Sequence, residues 1–135
     1  PEIQQLIFHM KETMKVNDGV SLAAPQVGKS LRIFTMETQD GSIALINPVI
    51  TKRSFLKDFD EEGCLSIPGV FIKVKRSKAI KVTALNEEGR EITIDAKGFM
   101  ARVIQHEIDH LDGILMLDRI KNKDKAVIVE PVRQF

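Results

Sequence analysis

Residues 105–110, QHEIDH, set two histidines four positions apart with a glutamate directly after the first. On a helix turning about 100° per residue, His106 and His110 fall within roughly 40° of each other, on the side that also carries Phe99 and Val103. Both imidazoles then point into an apolar face. Glu107 lies one residue step round, near enough to reach a group held between them. Ionisable side chains taken out of water need partners, and a divalent cation would satisfy all three together. The pattern is the arrangement that a water-activating metal site needs.

Two histidines leave such a site one ligand short, because catalytic zinc-type centres use three protein ligands and keep a fourth position open. Proteases with the same spacing can find the third in a His or Asp shortly downstream, but position 116 is Met, so that subclass fits poorly. Glu130 is a second option, in a segment that reads as a strand. Cys64 is the third. As the only cysteine it has no partner for an internal disulfide, and a thiolate is a strong ligand for iron, zinc, nickel and cobalt.

The elements that would carry these groups follow from periodicity. Ile3, Leu6, Ile7, Met10 and Met14 recur at helical spacing, and Asn17-Asp18-Gly19 supplies a stop, which predicts a helix over residues 2–16. Residues 31–36 and 43–50 read as strands around a Gln39-Asp40-Gly41 turn, with Pro48 implying an edge or a strand end, and 54–59 as a third strand. Residues 70–75, 79–85 and 91–96 read as an antiparallel meander, the last two joined by a turn at Asn86–Gly89. Residues 97–113 form the second helix, ending at Gly113, and 126–129 a last strand. Strands that succeed one another without helices between them favour an α+β fold over a parallel α/β sheet.

Composition narrows the class further. The chain has 135 residues, 43% hydrophobic and 29% charged, without Trp or Tyr, which suits a single globular domain over 1–135. A net charge of +1 gives no field to draw nucleic acid or membrane. Lys73, Lys75, Arg76, Lys78 and Lys81 alternate with apolar residues and read as a solvated sheet face, not an RNA patch. The opening PEIQQ lacks the features of a signal peptide, and a lone thiol suits a reducing, cytosolic setting.

Three stretches together resemble the motifs of the peptide deformylases, in the family's order: GVSLAAPQVG (19–28), EGCLS (62–66) and QHEIDHLDG (105–113). The resemblance implies the peptide deformylase fold, antiparallel strands packed around a buried metal-binding helix. It implies Cys64, His106 and His110 as ligands of one divalent ion, ferrous iron in cells, with zinc, nickel and cobalt as other occupants. Glu107 would be general base and then acid, while the Gln26 side-chain amide and the Leu65 backbone N–H would stabilise an oxyanion. Gly19, Leu22 and Ala23 would line the approach, and Phe99 and Val103 a pocket for the methionine side chain, with Arg102 at its rim. The implied substrates are N-formylmethionyl peptides and nascent proteins, the implied product formate, and the working unit a monomer. The implied setting is the cytoplasm of a bacterium or phage-infected host, or an organelle. A small HExxH metallopeptidase and a degenerate module that binds formylated ends without hydrolysis are the competing readings.

The sequence departs from that family's pattern in two respects. Position 21 is Ser where the family usually has Gly, from which Ser21→Gly is expected to raise turnover. The chain also begins close to its first helix and ends on VIVEPVRQF, a strand-like segment. This is the look of a minimal or N-terminally shortened member, from which no ribosome-docking helix, and so no such contact, is expected.

Overall fold

A computed structural model describes residues 2–64, 67–114 and 127–128. The first helix, α1 (Glu2–Val16), buries Ile7, Met10 and Met14 on one face. It ends where the sequence says it should. Asp18 takes a left-handed φ of 51°, the Gly19 N–H donates to Met14 O at 2.9 Å and the Asp18 N–H to Lys15 O at 3.1 Å. That pair of bonds satisfies carbonyls the helix leaves unpaired.

Strands β1 (Ser21–Ala23), β2 (Ile33–Thr38), β3 (Gly41–Arg53), β4 (Lys57–Cys64), β5 (Ile67–Ser77), β6 (Ala79–Leu85), β7 (Glu91–Lys97) and β8 (Val127–Ile128) form two antiparallel sheets. One has the order β1-β2-β3-β6-β7 and the other β4-β5-β8. The second long helix, α2 (Phe99–Leu111), packs against β1, β2 and β7 of the first sheet and β5 of the second. Mixed helix and antiparallel sheet is the expected α+β class.

Alternation along β1 and β2 divides the five-stranded sheet between the two helices. Leu22, Ile33 and Ala44 pack with Met10 and Met14 of α1. Ala23, Phe34, Met36 and Leu45 face the other way and pack with Val103, Ile104 and Ile108 of α2. β2 is therefore buried on both faces, which explains why Ile33 to Met36 are all buried and do not alternate between core and solvent, Thr35 included.

Three expectations change or narrow. The meander is broken: β6 pairs with β3 and β7, whereas β5 turns away to pair with β4 and β8. Residues 54–59 are only partly strand, since β4 starts at Lys57 and runs on to Cys64. Pro48 lies inside β3 and not at its end, but on an edge stretch, since pairing with β2 stops at Ile46; there the register with β6 shifts between Ile46 and Val49 and Asn47 takes a φ of 51°. That bulge removes the need for a proline N–H in the ladder.

The entry to α2 depends on Gly98, whose φ of 65° and ψ of −137° lie in a region that side chains avoid. A Cβ there would meet nothing within 4 Å, so the backbone alone carries the penalty. Gly98→Ala is expected to lower stability by about 1–3 kcal/mol, read as a reduced urea midpoint with an unchanged slope.

Candidate metal centre

α2 enters the space between the sheets with its whole central stretch, Ala101 to His110, buried. Such a helix needs a partner for every polar group it takes in, and β4 and β5 together supply most of them. Gln105 acts as a clamp on the last residue of β5: Nε2 donates to Ser77 O at 2.8 Å and Oε1 accepts from the Ser77 N–H at 3.1 Å. Arg102 donates from Nη1 to Val74 O at 2.8 Å and from Nη2 to Asp58 O at 2.9 Å. Arg76 donates to Asp109. The helix is thus fixed in rotation and depth by three polar side chains on its β5 side.

At the centre of this network stands Glu62, fully buried in β4. Its Oε1 accepts from His106 Nδ1 at 2.8 Å and from Arg76 Nη2 at 2.9 Å. Its Oε2 accepts from Arg76 Nε at 3.0 Å and from Arg102 Nη1. Burial pushes the Glu62 carboxyl up, but the hydrogen bonds from His106 and Arg76 and the charges behind them outweigh it. The pKa is lowered from its ordinary 4.5 to about 2. For Arg76, burial works against the charge, but Glu62 and Asp109 prevail and the pKa is raised. Two guanidiniums and two carboxylates thereby cancel inside the core.

Glu62 also settles which nitrogen of His106 can hold a metal. With Nδ1–H committed to the carboxylate, Nε2 presents its lone pair. The His110 Nε2 lies 2.9 Å from it, and Glu107 Oε1 is 4.0 Å from it. The ligand atoms of His106, Glu107 and His110 all fall within 4.8 Å of one another, on fully or largely buried residues. Two imidazole nitrogens converging beside a carboxylate, one ring oriented from behind, fit a divalent ion of borderline softness. Ser21 Oγ–H donates to Glu107 Oε1 at 3.0 Å.

The remaining expected site residues scatter more. Gln26 sits in a short 3-10 helix, Ala24–Val27, where its Oε1 accepts from the Ala23 N–H at 2.8 Å. The other polar atom of that amide, Nε2, is a donor. Gly19 closes α1 and Ala23 is buried against α2. Leu22 turns its side chain to the α1 side, so contact with a peptide would fall to its backbone. Val103 is buried and Phe99 is 57% exposed. Both line a cavity of about 740 Å³ with Met36, Ile43 and Met100 on its apolar side and Glu37, Thr38, Gln39 and Asp40 on its polar side.

Arg102 is not at a rim. It is 4% exposed and bound by Glu62 and three backbone carbonyls, because a guanidinium placed one residue before Val103 faces β4 and β5. Arg76 likewise leaves the solvated basic run: Lys73 and Lys75 are exposed, but Val74 and Arg76 point inward. Cys64 is the last residue of β4, two beyond Glu62, while Leu65 and Glu130 lie outside the described residues. Glu62, Arg76, Gln105 and Asp109 received no site role from sequence. Strict alternation from Val74 would have turned Arg76 inward.

The family model described as polypeptide deformylase matches residues 1–126. The peptide deformylase of Dictyoglomus thermophilum is 52% identical over 118 residues, 87% of this chain and 76% of that protein. Among solved structures, the Synechococcus elongatus peptide deformylase in complex with actinonin matches with a TM-score of 0.88 at 41% identity. It covers 92% of this chain and 68% of that one. The Thermotoga maritima peptide deformylase matches with a TM-score of 0.87 at 46% identity, over 90% of this chain and 82% of its own.

Glu62→Gln removes the anion that orients His106 and balances two arginines. Affinity for a divalent ion is expected to fall about 10–100-fold, measured by chelator competition. Because the folded pKa lies below 4.5, the stability Glu62 contributes is complete above that value and is lost as pH falls towards about 2. Acid unfolding curves of parent and variant should therefore converge over that window.

Proposed function

The chain belongs to the polypeptide deformylase family, and we infer that it is a metal-dependent hydrolase that removes the formyl group from N-formylmethionyl peptides and releases formate. We propose that Cys64, His106 and His110 hold the metal and that Glu107 is its acid–base partner. The observation that carries this reading is the convergence of His106, Glu107 and His110 ligand atoms within 4.8 Å, in a motif whose order with EGCLS matches the family's. A divalent ion bound there supplies Lewis acidity, which acidifies water and polarises the formyl oxygen.

Every other part of the reaction falls to the chain. Glu107 takes one proton from the attacking water as its oxygen bonds to the formyl carbon. The carbon–nitrogen bond then breaks, and Glu107 passes that proton to the departing nitrogen, leaving formate and a free amino terminus. Charge that develops on the formyl oxygen is met by the Gln26 Nε2 amide and the Leu65 backbone N–H. The commitment of Gln26 Oε1 to the Ala23 N–H supports a donor role for that amide.

Substrate is held by the backbone of Gly19, Leu22 and Ala23, with the methionine side chain against Phe99 and Val103 on the apolar side of the cavity they border. Arg102 takes no part in that pocket on this reading and serves as a strut under His106. Ferrous iron is the ion we assign, a sulfur–nitrogen–nitrogen site being equally open to nickel, cobalt or zinc. The unit is one catalytic domain over 1–135 working as a monomer, since all proposed groups come from one chain. Formylated peptides are its partners, and nucleic acid and membrane are not. The bacterial sources of the matched relatives support a cytoplasmic setting.

Anaerobic reconstitution with nickel, followed by formate release from formyl-Met-Ala-Ser, tests the assignment. Glu107→Ala is expected to lose about 10²–10⁴-fold in kcat with metal content unchanged. A Glu107→Ala variant as active as the parent would remove Glu107 from the reaction.

A further inference from the structure

Position 21 looked, from sequence alone, like a mild defect, a hydroxymethyl group where glycine is usual. The structure gives that hydroxyl a specific neighbour. Ser21 is 0% exposed and pairs with Met36 in the β1–β2 ladder. The alternation that sends Leu22 to the α1 side puts Ser21 and Ala23 on the α2 side. There the Oγ–H donates to Glu107 Oε1 at 3.0 Å, across 86 residues of sequence. A hydroxyl removed from water needs an acceptor, and a carboxylate is a strong one.

We propose that Ser21 is a positioning residue for the deformylase reaction: its hydroxyl holds the Glu107 carboxylate in the place from which it exchanges protons with water and leaving amine. This rests on the reading of Glu107 given above. A glutamate reaches its target through three side-chain torsions, and a reacting group held loosely by even an ångström loses rate. β1 is a good place for the anchor. Its neighbour β2 is buried on both faces, and the Glu37 N–H donates to Val20 O at 2.8 Å just before Ser21. The strand therefore offers a fixed donor to a carboxylate that comes from α2. A glycine at 21 has no such donor, so the expected effect of Ser21→Gly reverses, from faster turnover to slower.

The test compares the metal-loaded parent with Ser21→Ala and Ser21→Gly on formyl-Met-Ala-Ser, with thermal melts and metal content measured alongside. Both variants are expected to lose roughly 10-fold or more in kcat with KM and metal content unchanged, the scale of one hydrogen bond to a charged group. In a Glu107→Asp background, where the shorter carboxylate withdraws from Ser21, the Ser21→Ala change should cost nothing further in single-turnover rate. A crystal structure of Ser21→Ala supplies a readout independent of activity: the Glu107 carboxylate should leave its position near His106 Nε2.

An active parent with an unchanged kcat in Ser21→Ala and an unmoved Glu107 would overturn the positioning role and leave the deformylase reading intact. Equal losses from Ser21→Ala in the parent and Glu107→Asp backgrounds would overturn it also, by showing a packing effect. A metal-loaded parent that releases no formate would overturn the deformylase reading, and the Ser21 role with it.

Discussion

The Glu62 carboxylate receives hydrogen bonds from His106, Arg76 and Arg102, which stand on α2 and β5 while Glu62 itself stands on β4. A carboxylate buried this completely would be costly with any donor missing, since its charge would lose part of what offsets its removal from water. The arrangement is therefore stable only as a whole. It joins the three-stranded sheet to the helix, fixes the tautomer of one imidazole, and allows Arg102 and Arg76 to lie inside a small protein. Gln105 and Asp109 then set the rotation of the same helix against β5. The reactive face of α2 is held in place largely by the polar groups on its other sides.

Much of this was legible in the sequence where a single period governed a segment. α1, β6, β7 and α2 fall close to where apolar spacing puts them, and His106 and His110 share a helix face as their separation requires. Reading was poorest where one residue answered to two neighbours. Arg76 belongs by composition to a run of lysines and by alternation to the interior, and the interior won because Glu62 and Asp109 were there to receive it. The family resemblance put Arg102 at a pocket rim, yet its partners come from β4 and β5, more than twenty residues away in sequence. Such partnerships have no local signature.

The five-stranded sheet contributes differently. Its two faces serve two helices, and β1 stands at one edge with Leu22 in one core and Ser21 and Ala23 in the other. Short as it is, this strand links the α1 core to Glu107 and to the 3-10 helix that carries Gln26. Residues that the sequence presents as one motif, 19–28, are thus split by the sheet into those that pack and those that can act. The division follows from the two-residue repeat of a strand and needs no special geometry.

The complete burial of Ala101 to His110 also bears on how the chain assembles. A helix with no wet side gains little from forming early, because its buried groups find their partners only when both sheets are in place. Those partners are remote: 44 residues separate Glu62 from His106, and 86 separate Ser21 from Glu107. Contacts over such distances close late in folding, after the chain entropy of long loops has been overcome. The bonds that orient His106 and hold the Glu107 carboxylate therefore arise at the end of folding, so that a half-assembled chain has neither an oriented imidazole nor a fixed carboxylate beside it.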